Sequence, residues 1–205
     1  MRRARPAELR PEVDKLDFAP LTPDRWADLE ALFGPRGACG GCWCTSWRLS
    51  RSVFESGKGE GNRKAFRAIV ASGAEPGVLA YVDGEPVAWC AVAPREAYPR
   101  LERARTLARV DQMPVWSIVC LFVTRRYRRT GVSEPLVRAA VAHAVRHGAK
   151  LVEAYPVEPY SPEMPAAFAW TGIVSAFSRA GFKEVVRRSR TRPIMRLEVA
   201  AGARR

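Results

Sequence analysis

The chain has 205 residues, 47% of them hydrophobic. That is enough to bury a core without disulfide or metal staples, and it excludes a wholly disordered chain. Lys+Arg 34 against Asp+Glu 21 leaves a formal net charge of +13, which points to a polyanion or a small phosphorylated ligand, unless it is only a bias toward arginine.

Residues 1–14 read as a basic flexible tail ahead of a single domain over 15–200. No apolar h-region follows the charged start, and no apolar run approaches the ~18 residues that span a bilayer, so a cytoplasmic protein with no membrane partner is expected. Residues 17–21 read as a short strand. Thr22-Pro23 offers an N-cap with proline at the first helical position. Trp26, Leu29, Leu32 and Phe33 follow at helical spacing, and Gly34-Pro35 ends the helix. Residues 36–47 form a Gly-, Cys- and Trp-rich loop, and 61–71 a second helix through Phe66, Ile69 and Val70. The runs 78–82 and 86–92 flank Asp83-Gly84, a two-residue hairpin signal. Residues 97–109 read as an Arg-rich surface helix or loop. VWSIVCLFV, 115–123, is the most apolar run and reads as a central strand covered on both faces. A helix over 132–147 buries Leu136, Val137, Ala140, Val141, Ala144 and Val145 and stops at Gly148. Then come a strand over 151–157, a Pro-rich irregular stretch over 158–170, a short helix over 172–180, and a strand pair over 182–188 and 193–199. This order fits one mixed α/β layer fold.

The segment LFVTRRYRRTGVS, 121–133, carries a buried strand through a turn into a helix start. Helix starts leave unpaired N–H groups at the positive end of the dipole, where a phosphate or pyrophosphate fits. Gly131 lets the backbone approach an oxyanion with no Cβ in the way. Ser133 adds a hydroxyl, and Arg125, Arg126, Arg128 and Arg129 add positive potential. The alternative is an ordinary strand–turn–helix connection with solvated arginines. Neither a P-loop nor a G-x-G-x-x-G fingerprint is present.

The segment resembles motif A of the GNAT superfamily of acyl-CoA N-acyltransferases. Leu121, Val123, Tyr127, Arg128 and Gly131 fall at matching positions, Ser133 stands where Gly or Ala is usual, and Leu136 matches the first apolar helix position. The order of elements agrees on both sides, and Ala180-Gly181-Phe182 resembles the family's helix-end GF pair. The resemblance implies a mixed, mostly antiparallel twisted sheet of about six to seven strands flanked by helices. It also implies acetyl transfer from acetyl-CoA to a primary amine by direct attack in a ternary complex, with no metal. By that likeness, the backbone of Cys120, Leu121, Phe122 and Val123 would bond the pantetheine amides. Amides of Arg128, Arg129, Thr130, Gly131, Val132, Ser133 and Glu134 would hold the pyrophosphate, and Arg125 or Arg126 would meet the 3′-phosphate. Many members carry a proton-donating tyrosine four residues before the GF glycine. Phe177 takes that place beside the cofactor here and has no proton to give. Ser175, Ser178, Tyr155 and Tyr160 are the other hydroxyls in reach of such a role.

Glu158, at the end of a cleft-bordering strand, ranks first as general base, followed by Asp111 and Glu153. Each is alternatively a surface carboxylate, and Glu153, interior to its strand, could pair with an arginine. The loop ACGGCWCTSWR, 38–48, either packs on the core or makes an aromatic acceptor wall from Trp43, Trp47 and Cys44. Its cysteines lack a fourth ligand for zinc, and a site made only by the two histidines is less favoured still, so no metal is expected. His143 and His147, four apart on the motif helix and off its stripe, read as exposed residues near a helix C-terminus. The acceptor is a small-molecule or peptide amine, and a homodimer is compatible with the resemblance. Two other readings stay open: a catalytically degenerate CoA-binding protein, motivated by Phe177, and a basic nucleic-acid-binding protein. Against the latter, no helix-turn-helix, zinc finger or aromatic RNA motif is present.

Overall fold

The computed structural model describes residues 15–161 and 164–199. The expected tail over 1–14 lies outside them. Strands β1 (Asp17–Pro20), β2 (Gly77–Val82), β3 (Glu85–Pro94), β4 (Trp116–Val123), β5 (Leu151–Ala154), β6 (Lys183–Arg187) and β7 (Pro193–Glu198) form one sheet in the order β1-β2-β3-β4-β5-β7-β6. Every neighbouring pair is antiparallel except β4 and β5. Helices α1 (Trp26–Phe33), α2 (Arg51–Ser56), α3 (Glu60–Ala71) and α4 (Pro99–Glu102) precede β4, and α5 (Ser133–Arg146) and α6 (Val174–Arg179) follow it. This is the expected mixed, mostly antiparallel sheet with flanking helices. Among the described residues, no helix is long and apolar enough to cross a membrane.

The hairpin between β2 and β3 turns at Asp83 and Gly84 with φ of 50° and 80°, the doubly positive backbone that a two-residue turn of the right twist needs. Side chains of β3 alternate between two apolar layers. Ala88, Cys90 and Val92 pack with Leu136, Val137 and Ala140 of α5 and Phe177 of α6. Trp89 and Ala91 pack with Leu29, Phe33 and Phe66 from the α1 and α3 side. Burial on both faces explains why β3 and β4 read as nearly continuous apolar runs.

In β4 the alternation breaks. Ala91 pairs with Cys120, but the next residue, Val92, pairs with Ile118, so Val119 is a bulge. Val119 and Cys120 consecutively face the α1 layer, while Ile118 and Leu121 face α5. Pairing with β5 ends at Ile118 opposite Ala154, yet β4 runs on to Val123. β5 is shorter than expected because Pro156 has no N–H for a ladder. Val157 instead bridges Ile173, and the two strands part.

Three expectations change. The 97–109 stretch is not simply surface: Tyr98, Leu101 and Leu107 are buried beside Arg95, which is 0% exposed. The short helix α2, capped by the Ser50 hydroxyl on Val53 N–H, was not foreseen. On α5, His143 is buried, whereas Val141 and Val145 are half-buried.

Candidate functional site

Beyond Ile118 the outer edge of β4 has no strand beside it among the described residues. Leu121 N–H donates to the Trp170 carbonyl at 2.7 Å, and Arg128 Nε–H donates to the Val123 carbonyl at 2.9 Å. Residues Arg125–Tyr127 then make one tight turn, closed by the Thr130 hydroxyl on the Tyr127 carbonyl at 2.7 Å. Arg129 and Gly131 adopt φ of 64° and 90°. A Cβ added to Gly131 would meet nothing within 4 Å, so open space lies against its α-carbon. The amides of Thr130, Gly131 and Val132 make no backbone hydrogen bond among the described residues. They lead into Ser133 at the positive end of α5. Arg125, Arg126, Arg128 and Arg129 are all exposed around this opening. Glu134 does not oppose them, because Arg138 and Arg179 each bond its carboxylate at 3.0 Å and hold it below the usual carboxylate range. The arrangement suits a phosphate-bearing ligand.

An apolar cavity of about 290 Å³ runs from β4 to the cysteine–tryptophan loop. Its walls include Cys120, Leu121 and Phe122 of β4 and Cys39, Cys42, Cys44 and Trp47 of the loop. Trp47 stacks on Trp170 at 5.8 Å and 29°, and its indole Nε1 is buried without a partner. Trp43, expected in this wall, sits instead in the core, stacked on Trp26 at 6.1 Å and tilted on Phe33. Trp43 anchors the loop to the core, and Trp47 and Cys44 face the cavity.

The loop is held in a strained path. Ala38, Trp43 and Cys44 have φ of 63°, 41° and 57°, each costing on the order of 1–3 kcal/mol. A Cβ on Gly37 would fall 2.1 Å from Trp43 Nε1, so glycine is required there. Buried Asn62 clamps the loop by donating to the Gly41 and Phe54 carbonyls at 3.1 and 3.2 Å. The Cys44 thiol is pulled below its ordinary pKa, first by a hydrogen bond with Cys120 and then by Trp89 Nε1–H, 3.3 Å away. Burial pushes Cys42 up. Among the described residues, these cysteines do not bring three ligand atoms together for an ion.

The three carboxylates expected as bases are not gathered at this cavity. Glu153 is fully buried. Its Oε1 accepts from Arg95 at 2.7 Å and Tyr155 at 2.6 Å, and its Oε2 accepts from Arg196 at 2.7 Å. Asp111 is exposed, bonded by Arg196 and by Met113 N–H at 2.9 Å, and the guanidinium holds it below its ordinary pKa. The Glu158 side chain is 45% exposed and pairs with Arg187 at 3.1 Å. Asp111 and Glu158 thus lie at the surface, and Glu153 pairs with arginines inside. The signal that sequence reading missed is Arg95, the buried partner of Glu153.

Phe177 is also fully buried. Its ring meets Phe182 edge-on at 5.2 Å, and a Cβ on Gly172 would lie 2.6 Å from it. Phe177→Tyr is therefore expected to lower the melting temperature by a few degrees, because the added hydroxyl is buried without a built partner. It should leave turnover unimproved. Parallel melts and kcat measurements check this, and a gain in kcat would assign a proton-donor role to that position.

The sheet thus parts beside the bulged β4, above the glycine-opened start of α5. The model of the acetyltransferase (GNAT) family matches residues 44–166, and the chain belongs to that family. Among solved structures it is similar to the PaiA N-acetyltransferase from Thermoplasma acidophilum in complex with coenzyme A, at 13% identity and TM-score 0.50, covering 90% of this chain and 99% of that one. It is also similar to the NatC complex bound to Gag peptide and CoA, at 14% identity and TM-score 0.52, covering 91% and 99%. A third is aminoglycoside acetyltransferase AAC(6')-Ib in complex with coenzyme A, at 15% identity and TM-score 0.51, covering 90% and 95%. Comparison with curated proteins gives no match.

Proposed function

We propose that the protein transfers an acetyl group from acetyl-CoA to a primary amine whose carrier has an apolar or planar part. The observation that carries this reading is the parting of β4 from β5 at the Val119 bulge, with the cavity of Cys44, Trp47 and Trp170 on one side and Gly131 on the other. Three CoA-bearing neighbours of the same fold agree with it. In this reading the amides from Arg128 to Glu134 hold the pyrophosphate, and Arg125 or Arg126 meets the 3′-phosphate. The backbone of Cys120 to Val123 aligns the pantetheine arm, with Phe177 as an apolar support behind it. The Trp170 carbonyl already occupies Leu121 N–H, so it keeps that edge satisfied until the arm displaces it.

The amine nitrogen attacks the thioester carbonyl carbon. A C–N bond forms, the C–S bond breaks, and the proton lost by the amine ends on the CoA sulfur. The cavity orients the two reactants and excludes water. Trp47 Nε1–H, buried and unpartnered, is the donor placed to meet the developing oxyanion. Trp47→Phe should then lower kcat by about 10²-fold, and the trimmed ring, which stacks on Trp170, should lower the melting temperature by a few degrees. An unchanged kcat would remove Trp47 from the chemistry.

An acetyl-CoA-dependent screen of amines, read by CoA release, tests the main reading. It fails if acetyl-CoA neither binds by calorimetry nor raises the melting temperature. The lowered Cys44 thiol favours one second reading, an acetyl-Cys44 intermediate. Intersecting bisubstrate lines and an unmodified Cys44 by mass spectrometry are expected for direct attack; parallel lines with acetylated Cys44 would replace it.

A further inference from the structure

His143 and His147 lie one turn apart at the end of α5, and Glu75 lies in the connection between α3 and β2. His143 was expected to be exposed, but it is 0% exposed. Its Nε2 sits 3.1 Å from the Glu75 carbonyl. A carbonyl only accepts, so Nε2 carries the proton and Nδ1 is a bare lone pair. That Nδ1 is buried and has no partner. His147 repeats the logic with the other nitrogen: its Nδ1 sits 2.9 Å from the His143 carbonyl, which leaves Nε2 bare. Both bare nitrogens face one oxygen, Glu75 Oε2, at 3.8 and 3.4 Å. The three atoms lie within 4.8 Å of one another. With both imidazoles neutral, three acceptors converge with no donor among them, an arrangement that a bound cation satisfies.

We propose that Glu75 Oε2, His143 Nδ1 and His147 Nε2 bind one divalent transition-metal ion of the zinc class. Two imidazoles and a carboxylate suit that class, whereas calcium and magnesium prefer all-oxygen sites. Bonds of about 2.0–2.1 Å in a tetrahedron place ligand atoms about 3.4 Å apart, close to the observed spacing. Backbone carbonyls fix both tautomers, the outer-shell device typical of metal-binding histidines. The Trp116 ring packs against both imidazoles at 6.1 and 5.4 Å. Glu75 and His147 are 32% and 41% exposed, so a water completes the coordination. The 14-residue α5 separates this site from Gly131 by about 20 Å. The ion therefore takes no part in acyl transfer and instead ties the α3–β2 connection to the end of α5.

The test uses the full chain stripped by chelator, then titrated with Co²⁺ by visible absorption and with Zn²⁺ by thermal melting. One Co²⁺ per chain is expected, displaced by Zn²⁺. The melting temperature should rise by about 5–10 °C at a hundredfold excess of Zn²⁺ over Kd. His147→Gln and Glu75→Gln, both at partly exposed positions, should fold without metal and weaken Co²⁺ binding more than tenfold. The proposal is overturned if wild type gives no Co²⁺ spectrum and no Zn²⁺ shift, or if both variants keep the wild-type response. It is equally overturned if the Co²⁺ spectrum shows thiolate charge transfer that Cys42→Ser removes, which would place the ion in the cysteine loop.

Discussion

Gly131→Glu is expected to lower acetyl-CoA affinity by more than a hundredfold in a chain that still folds. Two effects combine. Gly131 has φ of 90°, so any side chain costs on the order of 1–3 kcal/mol of backbone strain. The melting temperature should fall by about 2–10 °C for that strain alone. The new side chain has room, since nothing lies within 4 Å of the added Cβ. The strain is therefore not compounded by a clash, and the carboxylate projects into the opening ringed by Arg125, Arg126, Arg128 and Arg129. There it takes the place that the proposed pyrophosphate needs and repels it. Gly131→Ala separates the two effects, because it carries the strain without the charge and should lose far less affinity. Calorimetry with acetyl-CoA on both variants, alongside melts, reads the difference. Equal binding by Gly131→Glu and wild type would remove the pyrophosphate from this helix start.

What the sequence made legible was local. Asp83-Gly84 needs no distant partner to turn a hairpin, and a strand, Gly131 and an amphipathic helix follow one another within one segment. What it hid was set by contacts across the chain. The Val119 bulge is invisible in VWSIVCLFV because burial on both faces removes the alternation that would reveal a phase change. Arg95 lies among arginines that look solvated, and its partner Glu153 lies 58 residues on. His143 looked exposed because it stood off the stripe drawn through Val141 and Val145; the Glu75 connection and Trp116 cover it from other elements. The Trp170 carbonyl at Leu121 depends on the path of an irregular stretch with no periodicity to read. The strand–turn–helix geometry of 121–134 was legible because one segment builds it, whereas the cavity was not, because the loop, β4 and the 164–172 stretch assemble it.

Glu153→Gln should destabilise the fold and spare the chemistry, the opposite of what a general base would do. Glu153 and Arg95 are both 0% exposed. Taking two charges from water is costly, and it is offset here by bonds on every side. Arg95 also bonds Glu102 and the Leu107 carbonyl at 2.7 Å, and Arg196 reaches out to Asp111. The chain Glu102–Arg95–Glu153–Arg196–Asp111 thus ties β5 and β7 to the 95–111 segment that follows β3. Glutamine removes the charge between two guanidinium groups and aims an amide N–H at one of them. Breaking such a buried pair costs about 3–5 kcal/mol, which lowers the melting temperature by about 6–20 °C. The outward pairs, such as Arg187 with Glu158, are exposed and contribute about 0–1 kcal/mol, so Glu158→Gln serves as the mild comparison. Below its melting transition, Glu153→Gln should keep kcat within a few-fold of wild type. A melting temperature within 2 °C of wild type together with a collapsed kcat would return Glu153 to the active site as the base, and would mean that Arg95 and Arg196 relax around a neutral partner. The expected pattern instead makes this network a brace beside the point where β4 and β5 part. Ser117, opposite Glu153 in the β4–β5 ladder, bonds the Tyr155 hydroxyl at 2.9 Å. The last rung follows at Ile118 and Ala154, and beyond it β4 turns its edge to the cleft.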